Sequence, residues 1–167
     1  MTRAVLSWPD ARLACPAEDV GAIDDAVRAI WEEMIAVMDA MPGVGLAAVQ
    51  LGEMRRLAVV DASRKRGQAV RMANPEVVAA SGETIDWTEA SPCLPGVSAR
   101  ITRPRRVTVR YLGPEGAILE RDFEDLWAVS AQHQIDHLAG RMFFDRLSRT
   151  RRGMLLNKAR KLAGAGA

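Results

Sequence analysis

The chain has 167 residues, 49% of them hydrophobic and 26% charged, a composition suited to a soluble globular protein able to bury a core without metal or disulfide staples. No apolar run approaches the ~20 residues that span a bilayer, residues 1–10 lack a basic-then-apolar signal, and only two cysteines are present, so one cytoplasmic domain over residues 1–167 without disulfides is expected. The net charge of +2 is unevenly spread: residues 1–140 hold 15 basic and 20 acidic side chains, whereas residues 141–167 hold eight basic and one acidic.

In chain order, residues 1–22 form an ordered arm, punctuated by Pro9 and Pro16 in Trp8-Pro9-Asp10-Ala11-Arg12-Leu13 and its sequel. From Asp24 to Met41, the apolar residues Val27, Ile30, Met34, Val37, Met38 and Met41 recur at steps of three and four, with Asp24 and Asp25 at the positive end. The pattern predicts an amphipathic helix ended by Pro42-Gly43, its methionines filling core. Gly43-Val44-Gly45-Leu46-Ala47-Ala48-Val49-Gln50 follows. Two glycines and small side chains describe backbone that something approaches closely. A phosphate loop is excluded by the lack of a GxGxxG or GK[ST] pattern and of a preceding strand.

Strands are expected at Arg56–Val60, Ala69–Val78, Glu83–Trp87, Val97–Ile101, Arg106–Leu112 and Ile118–Phe123. Asn74-Pro75 marks an edge or bend, because proline cannot donate to a ladder, and Gly113-Pro114-Glu115-Gly116 reads as a hairpin turn. Strands clustered between helices near both ends indicate an α+β fold rather than repeating βαβ units. The loop Ser91-Pro92-Cys93-Leu94-Pro95-Gly96 holds a cysteine between prolines, oriented rather than mobile.

The only two histidines lie in Gln132-His133-Gln134-Ile135-Asp136-His137-Leu138-Ala139-Gly140, within a helix expected over Phe123–Gly140. Four residues apart, their imidazoles leave one helix face a turn apart, which suits two ligands of one metal ion. With a Cys93 thiolate they make three donors and leave a fourth position open, the pattern of a catalytic metal. A zinc-protease motif needs Glu after its first histidine. Here Gln134 stands there, similar in shape to a carboxylate but without useful basicity. Ser148 begins a last helix to about Leu162 that carries most of the basic end; a solvated helix and contact with a polyanion such as RNA both account for its charge.

These residues carry a resemblance to the peptide deformylases, which remove the formyl group from the initiator methionine of nascent bacterial chains. That family shows GxGxAAxQ, EGCLS and QHExDH in order; this chain has GVGLAAVQ, SPCLP and QHQIDHLAG at similar separations. The resemblance implies mixed or antiparallel sheets around a central metal-binding helix, with N- and C-terminal helices. It implies one divalent ion, Fe²⁺ or Zn²⁺ or Ni²⁺, on Cys93, His133 and His137. The Gln50 side chain and the Leu94 N–H would hold the developing oxyanion, Gln134 would stand where the base belongs, and Val44, Gly45, Leu126 and Val129 would bind the methionyl peptide. The basic C-terminal helix resembles the family's ribosome-contacting end; neither membrane nor DNA is an expected partner.

The departures fall on the chemistry. Besides Gln134, Ser91 stands where EGCLS begins with Glu, Pro92 and Pro95 replace its Gly and Ser, and extra residues lie between Thr84 and Cys93. General acid–base catalysis contributes ~10²- to 10⁴-fold, so weakened deformylation or an altered acyl substrate is expected. Two alternatives stand beside it: a non-catalytic relative that binds N-acylated peptide termini at the ribosome, and a protein whose metal is structural, with Glu89 or Asp86 as fourth ligand. Asp136 is expected to partner a ligand or a nearby arginine such as Arg105.

Overall fold

A computed structural model describes residues 2–166. Three α-helices, α1 (Asp25–Ala40), α2 (Leu126–Leu138) and α3 (Arg149–Ala165), accompany seven strands: β1 (Gly45–Ala47), β2 (Leu57–Val60), β3 (Val70–Ala80), β4 (Thr84–Glu89), β5 (Ala99–Pro104), β6 (Arg106–Leu112) and β7 (Ile118–Glu124). Five strands form one sheet in the order β1-β2-β3-β6-β7, and β4 pairs with β5 in a second. All these pairings are antiparallel; a parallel bridge joins Glu18 to Arg55. The fold is α+β, with α2 packed against the large sheet.

Helix α1 begins where Asp24 accepts a hydrogen bond from Val27 N (2.9 Å) and buries Val27, Ile30, Trp31, Met34 and Met38. Trp31, outside the expected stripe, is fully buried and donates from Nε1 to Met72 O at 3.3 Å. Asn74-Pro75 is a bend and not an edge: β3 lies between β2 and β6, and its register slips between Ala73 and Glu76. There the Asn74 amide pairs with both Val20 N and Val20 O at 2.8 Å, tying the N-terminal arm to the sheet. Gly116, at φ +80°, closes the β6–β7 hairpin as the turn residues predict.

Helix α2 starts later than expected because Phe123 and Glu124 pair with Val107 and Arg106 in β7. Almost every residue from Ala128 to Leu138 is buried, its polar residues included. Its end is pinned by Gly140, at φ +78°, where a Cβ would lie 2.8 Å from Ala14 O. The arm also binds both site loops through backbone hydrogen bonds, Leu6 N to Gln50 O (2.7 Å) and Trp8 N to Cys93 O (2.8 Å). Helix α3, longer than expected and capped by Ser148, buries Leu155, Leu156 and Ala159 against Phe143, Phe144 and Leu94.

Replacing Trp31 by alanine removes the largest fully buried side chain and leaves Met72 O without its donor. Urea denaturation of Trp31→Ala is expected to show a loss of about 3–5 kcal/mol.

Candidate active site

A cleft of about 380 Å³ opens between three walls. Met41 to Gly45, between α1 and β1, form the first; Trp87 to Pro92, from β4 and the loop after it, form the second; Leu126, Val129, Ser130, His133 and Gln134 of α2 form the third, and Gln50 joins them. The cleft thus gathers Val44, Gly45, Gln50, Leu126, Val129, His133 and Gln134 from the expected site. His137 is fully buried, while Cys93 and Leu94 are buried and do not line the cleft.

Gly45 fits because α2 passes close against it. A Cβ there would collide with Ser130 Oγ and come within 2.6 Å of Gln134 Nε2. Ser130 Oγ donates to Val44 O at 2.9 Å, fixing the glycine segment to the helix. Asp61 N donates to the same carbonyl at 3.0 Å, and Arg66 reaches Asp61 O and Gly43 O. The Gln50 amide is held by its oxygen, which accepts from Ala47 N at 2.9 Å; its Nε2 stands 3.5 Å from Ser91 Oγ and 3.6 Å from Cys93 Sγ. Leu94 N donates to Ser91 O at 3.0 Å, so the expected oxyanion donor is engaged in the turn of its own loop.

His133 Nδ1 meets Glu89 Oε1 at 2.8 Å. That carboxylate keeps the proton on Nδ1 and presents Nε2 as the free lone pair. The two imidazoles stand 5.0 Å apart between centroids. Among the described residues, neither nitrogen of His137 has a hydrogen-bond partner although both are buried, and Gln134 Oε1 is in the same condition. Burial, with the neighbouring His133, holds His137 well below the usual histidine range, so it is neutral. An unpaired, neutral, buried imidazole is what a metal ligand requires, so the histidine pair fits a divalent ion.

The third donor fits less well. Among the described residues, no three His, Cys, Asp or Glu side chains converge closely enough to hold an ion. Cys93 packs in the apolar cluster of Leu13, Phe143 and Leu156, and burial pushes its thiol up from the ordinary range. Asp86 is exposed and taken by Arg100 and Thr102. Glu89 is buried but committed to Arg103 as well as to His133. A fourth carboxylate ligand is therefore not in place.

Arg103 carries no mark in the sequence, and Glu89 figures there only as a candidate fourth ligand, yet the two organise the site. Arg103, fully buried, binds Glu89 through Nε (2.6 Å) and Nη2 (2.9 Å) and Asp136 through Nη1 (3.0 Å). Arg146 also grips Asp136, at 2.6 and 2.9 Å. Asp136 therefore pairs with arginines as expected, but with Arg103 and Arg146; Arg105 points instead to Asp125 and Glu83. Alternation along β5 buries Ile101 and Arg103 and exposes Arg100 and Thr102, the one signal that could have marked Arg103.

Burial would raise the Glu89 and Asp136 carboxyls, but the arginines, with His133 at Glu89, outweigh it and hold both below their ordinary values of 4.5 and 3.8. Such groups bind protons less readily folded than unfolded, so their contribution is present above those ordinary values and is lost as pH falls through the folded ones. Acid titration followed by circular dichroism is expected to show stability falling below about pH 4. Arg103→Met takes from the buried Glu89 its one arginine and from Asp136 one of two, and is expected to cost about 3–5 kcal/mol in urea denaturation. Gly45→Ala, which must displace Ser130 or Gln134, is expected to cost about 1–3 kcal/mol by the same measurement.

A profile of the family described as polypeptide deformylase matches residues 2–153. The chain is 38% identical over 165 residues to a peptide deformylase of Phenylobacterium zucineum, covering 98% of each, and 37% identical over 159 residues to peptide deformylase 2 of Nitrosomonas europaea, covering 95% and 85%. Its structure resembles a peptide deformylase from Legionella pneumophila with a TM-score of 0.91 at 33% identity, covering 99% and 98% of the two chains. A peptide deformylase from Ehrlichia chaffeensis in complex with actinonin gives 0.89 at 31%, covering 96% of each. The chain belongs to the polypeptide deformylase family, metal-dependent hydrolases that take the N-formyl group from the methionine of nascent peptides.

Proposed function

We propose that the cleft binds the N-formylmethionyl end of a peptide and that its hydrolysis is weakened by Gln134. The observation that carries this is the Gln134 amide itself, buried in the cleft wall with Oε1 unpaired among the described residues, one turn of helix from His137 and next to His133. The cleft lies between β1, at the edge of the large sheet, and β4, which pairs with β5 alone among the described strands, an arrangement that suits an extended peptide. Val44, Leu126 and Val129 offer apolar surface for the methionine side chain, and Gly45 admits the peptide backbone closely. Gln50 Nε2, with its oxygen already held by Ala47 N, is the donor for the formyl oxygen.

His133 and His137 are the donors for the ion, Fe²⁺, Zn²⁺ or Ni²⁺, which would polarise the formyl carbonyl and lower the pKa of its water. The chain's own residues bind and orient the acylated terminus, exclude solvent and donate to the carbonyl oxygen. Gln134 can hydrogen-bond a water but cannot take its proton. The lack of three converging donors among the described residues favours a second reading, a non-catalytic relative that retains the acylated terminus without cleaving it.

The basic end supports association with the ribosome, and with it a cytoplasmic setting. Arg146 is paired with Asp136, Arg152 with Asp145 and the Phe144 ring, and Arg160 covers Trp8, but Arg149, Arg151, Lys158 and Lys161 are exposed on α3. No described helix is long and apolar enough to cross a membrane.

Formate release from a formyl-Met peptide is the direct test, with iron-loaded and zinc-loaded protein beside Gln134→Glu. Restoring the carboxylate is expected to raise turnover by about 10²-fold or more; peptide binding without turnover in either protein moves the chain to the second reading. Sedimentation with ribosomes is expected at low salt, and to be lost as salt rises and in a variant with Arg151, Lys158 and Lys161 changed to Glu.

A further inference from the structure

The loop after β4 contains two candidates for the third donor, and the fold separates them. Glu89 holds His133 and Arg103, so its place relative to the histidines is set. In the motif Glu-Gly-Cys-Leu-Ser, the cysteine comes two residues after the glutamate. Counted from Glu89, that place belongs to Ser91, the place of the leucine to Pro92, and the place of the terminal serine to Cys93. Aligning on the cysteine, as the SPCLP run invites, leaves Ser91 where Glu should be; aligning on Glu89 keeps the carboxylate and moves the thiol.

The geometry agrees with the second alignment. Ser91 lines the cleft with Gln50, His133 and Gln134, its side chain buried, whereas Cys93 is absent from that lining. Cys93 lies with Leu13, Phe143 and Leu156 in the cluster that α3 closes, and its carbonyl is fixed by Trp8 N at 2.8 Å. Its sulfur makes a 3.6 Å contact with Gln50 Nε2, but among the described residues it forms no ion-holding group with the histidines.

We infer that Ser91 occupies the third-donor position of this cleft and that Cys93 is a core residue supporting the loop. The inference rests on reading the cleft as a deformylase-type site. A neutral hydroxyl is a far poorer ligand than a thiolate for zinc, so the two imidazoles hold an ion weakly. The motif's leucine position is filled by Pro92, which has no N–H to offer an oxyanion. Three parts of the chemistry are thereby altered together: a metal ligand at Ser91, a backbone donor at Pro92 and the base at Gln134.

The test compares wild type, Ser91→Cys and Cys93→Ala, each titrated with Zn²⁺ against a chromophoric chelator and with Co²⁺ for its thiolate charge-transfer absorption, folding being checked by circular dichroism. Ser91→Cys is expected to tighten Zn²⁺ by more than about 100-fold, beyond what loss of an outer partner costs, and to gain the thiolate band. Wild type and Cys93→Ala are expected to lack the band and to bind Zn²⁺ alike. A thiolate band in wild type overturns the inference, as does Ser91→Cys with neither band nor tighter binding. Affinity of the metal-free wild type for a formyl-Met peptide is measured separately; its absence counts against the cleft reading and leaves the ligand assignment to the metal titrations.

Discussion

Arg103 is the fixed point of this structure. Its guanidinium, fully buried on β5, joins the Glu89 carboxylate at the end of β4 to Asp136 on α2, and through Asp136 it reaches Arg146 after the helix. A buried cation requires compensation on every side, and breaking it strands charge in the interior. The small sheet, the central helix and the segment leading to α3 are therefore locked in one relative position. His133 is oriented by the same network, because Glu89 shares its Oε1 between Arg103 and the imidazole.

On that frame the cleft is assembled by close approach rather than by side-chain bulk. Gly45 lies against Ser130 and Gln134, and Val44 O is held by both Ser130 and Asp61. The N-terminal arm adds a second set of ties, with Leu6 and Trp8 donating to the carbonyls of Gln50 and Cys93. The segments that carry Gln50 and Cys93 are thus tied by backbone hydrogen bonds to a distant stretch of chain.

The chain shares the fold of its family, and its cleft brings Gly45, Gln50, His133 and Gln134 together. His137, buried and without a hydrogen-bond partner among the described residues, and His133, oriented by Glu89, have the character that the proposed ligand role requires. Gln134 retains the shape of a carboxylate and lacks its basicity. Binding an acylated terminus depends on shape, apolar surface and hydrogen-bond donors; cleaving it depends in addition on charge developed in the transition state and on proton transfer. The proposed reading draws on the first set for the cleft walls and places Gln134 in the second.

Much of this was legible in the residues alone. Steps of three and four from Val27 to Met41 located α1, His133 and His137 four apart fell together on α2, and Gly43-Val44-Gly45 announced a close approach, because each signal depends on neighbours along the chain. The burial of Trp31, the Arg103 network and the placement of Ser91 and Cys93 relative to the cleft were not legible. Arg103 meets Asp136 across 33 residues, and no local pattern announces a cation that will be buried by a partner so distant. A two-residue difference along the loop after β4 separates Ser91, which lines the cleft, from Cys93, which does not. Sequence names the chemical groups available, but only tertiary packing, by fixing Glu89 against Arg103, decides which of them reaches the cleft.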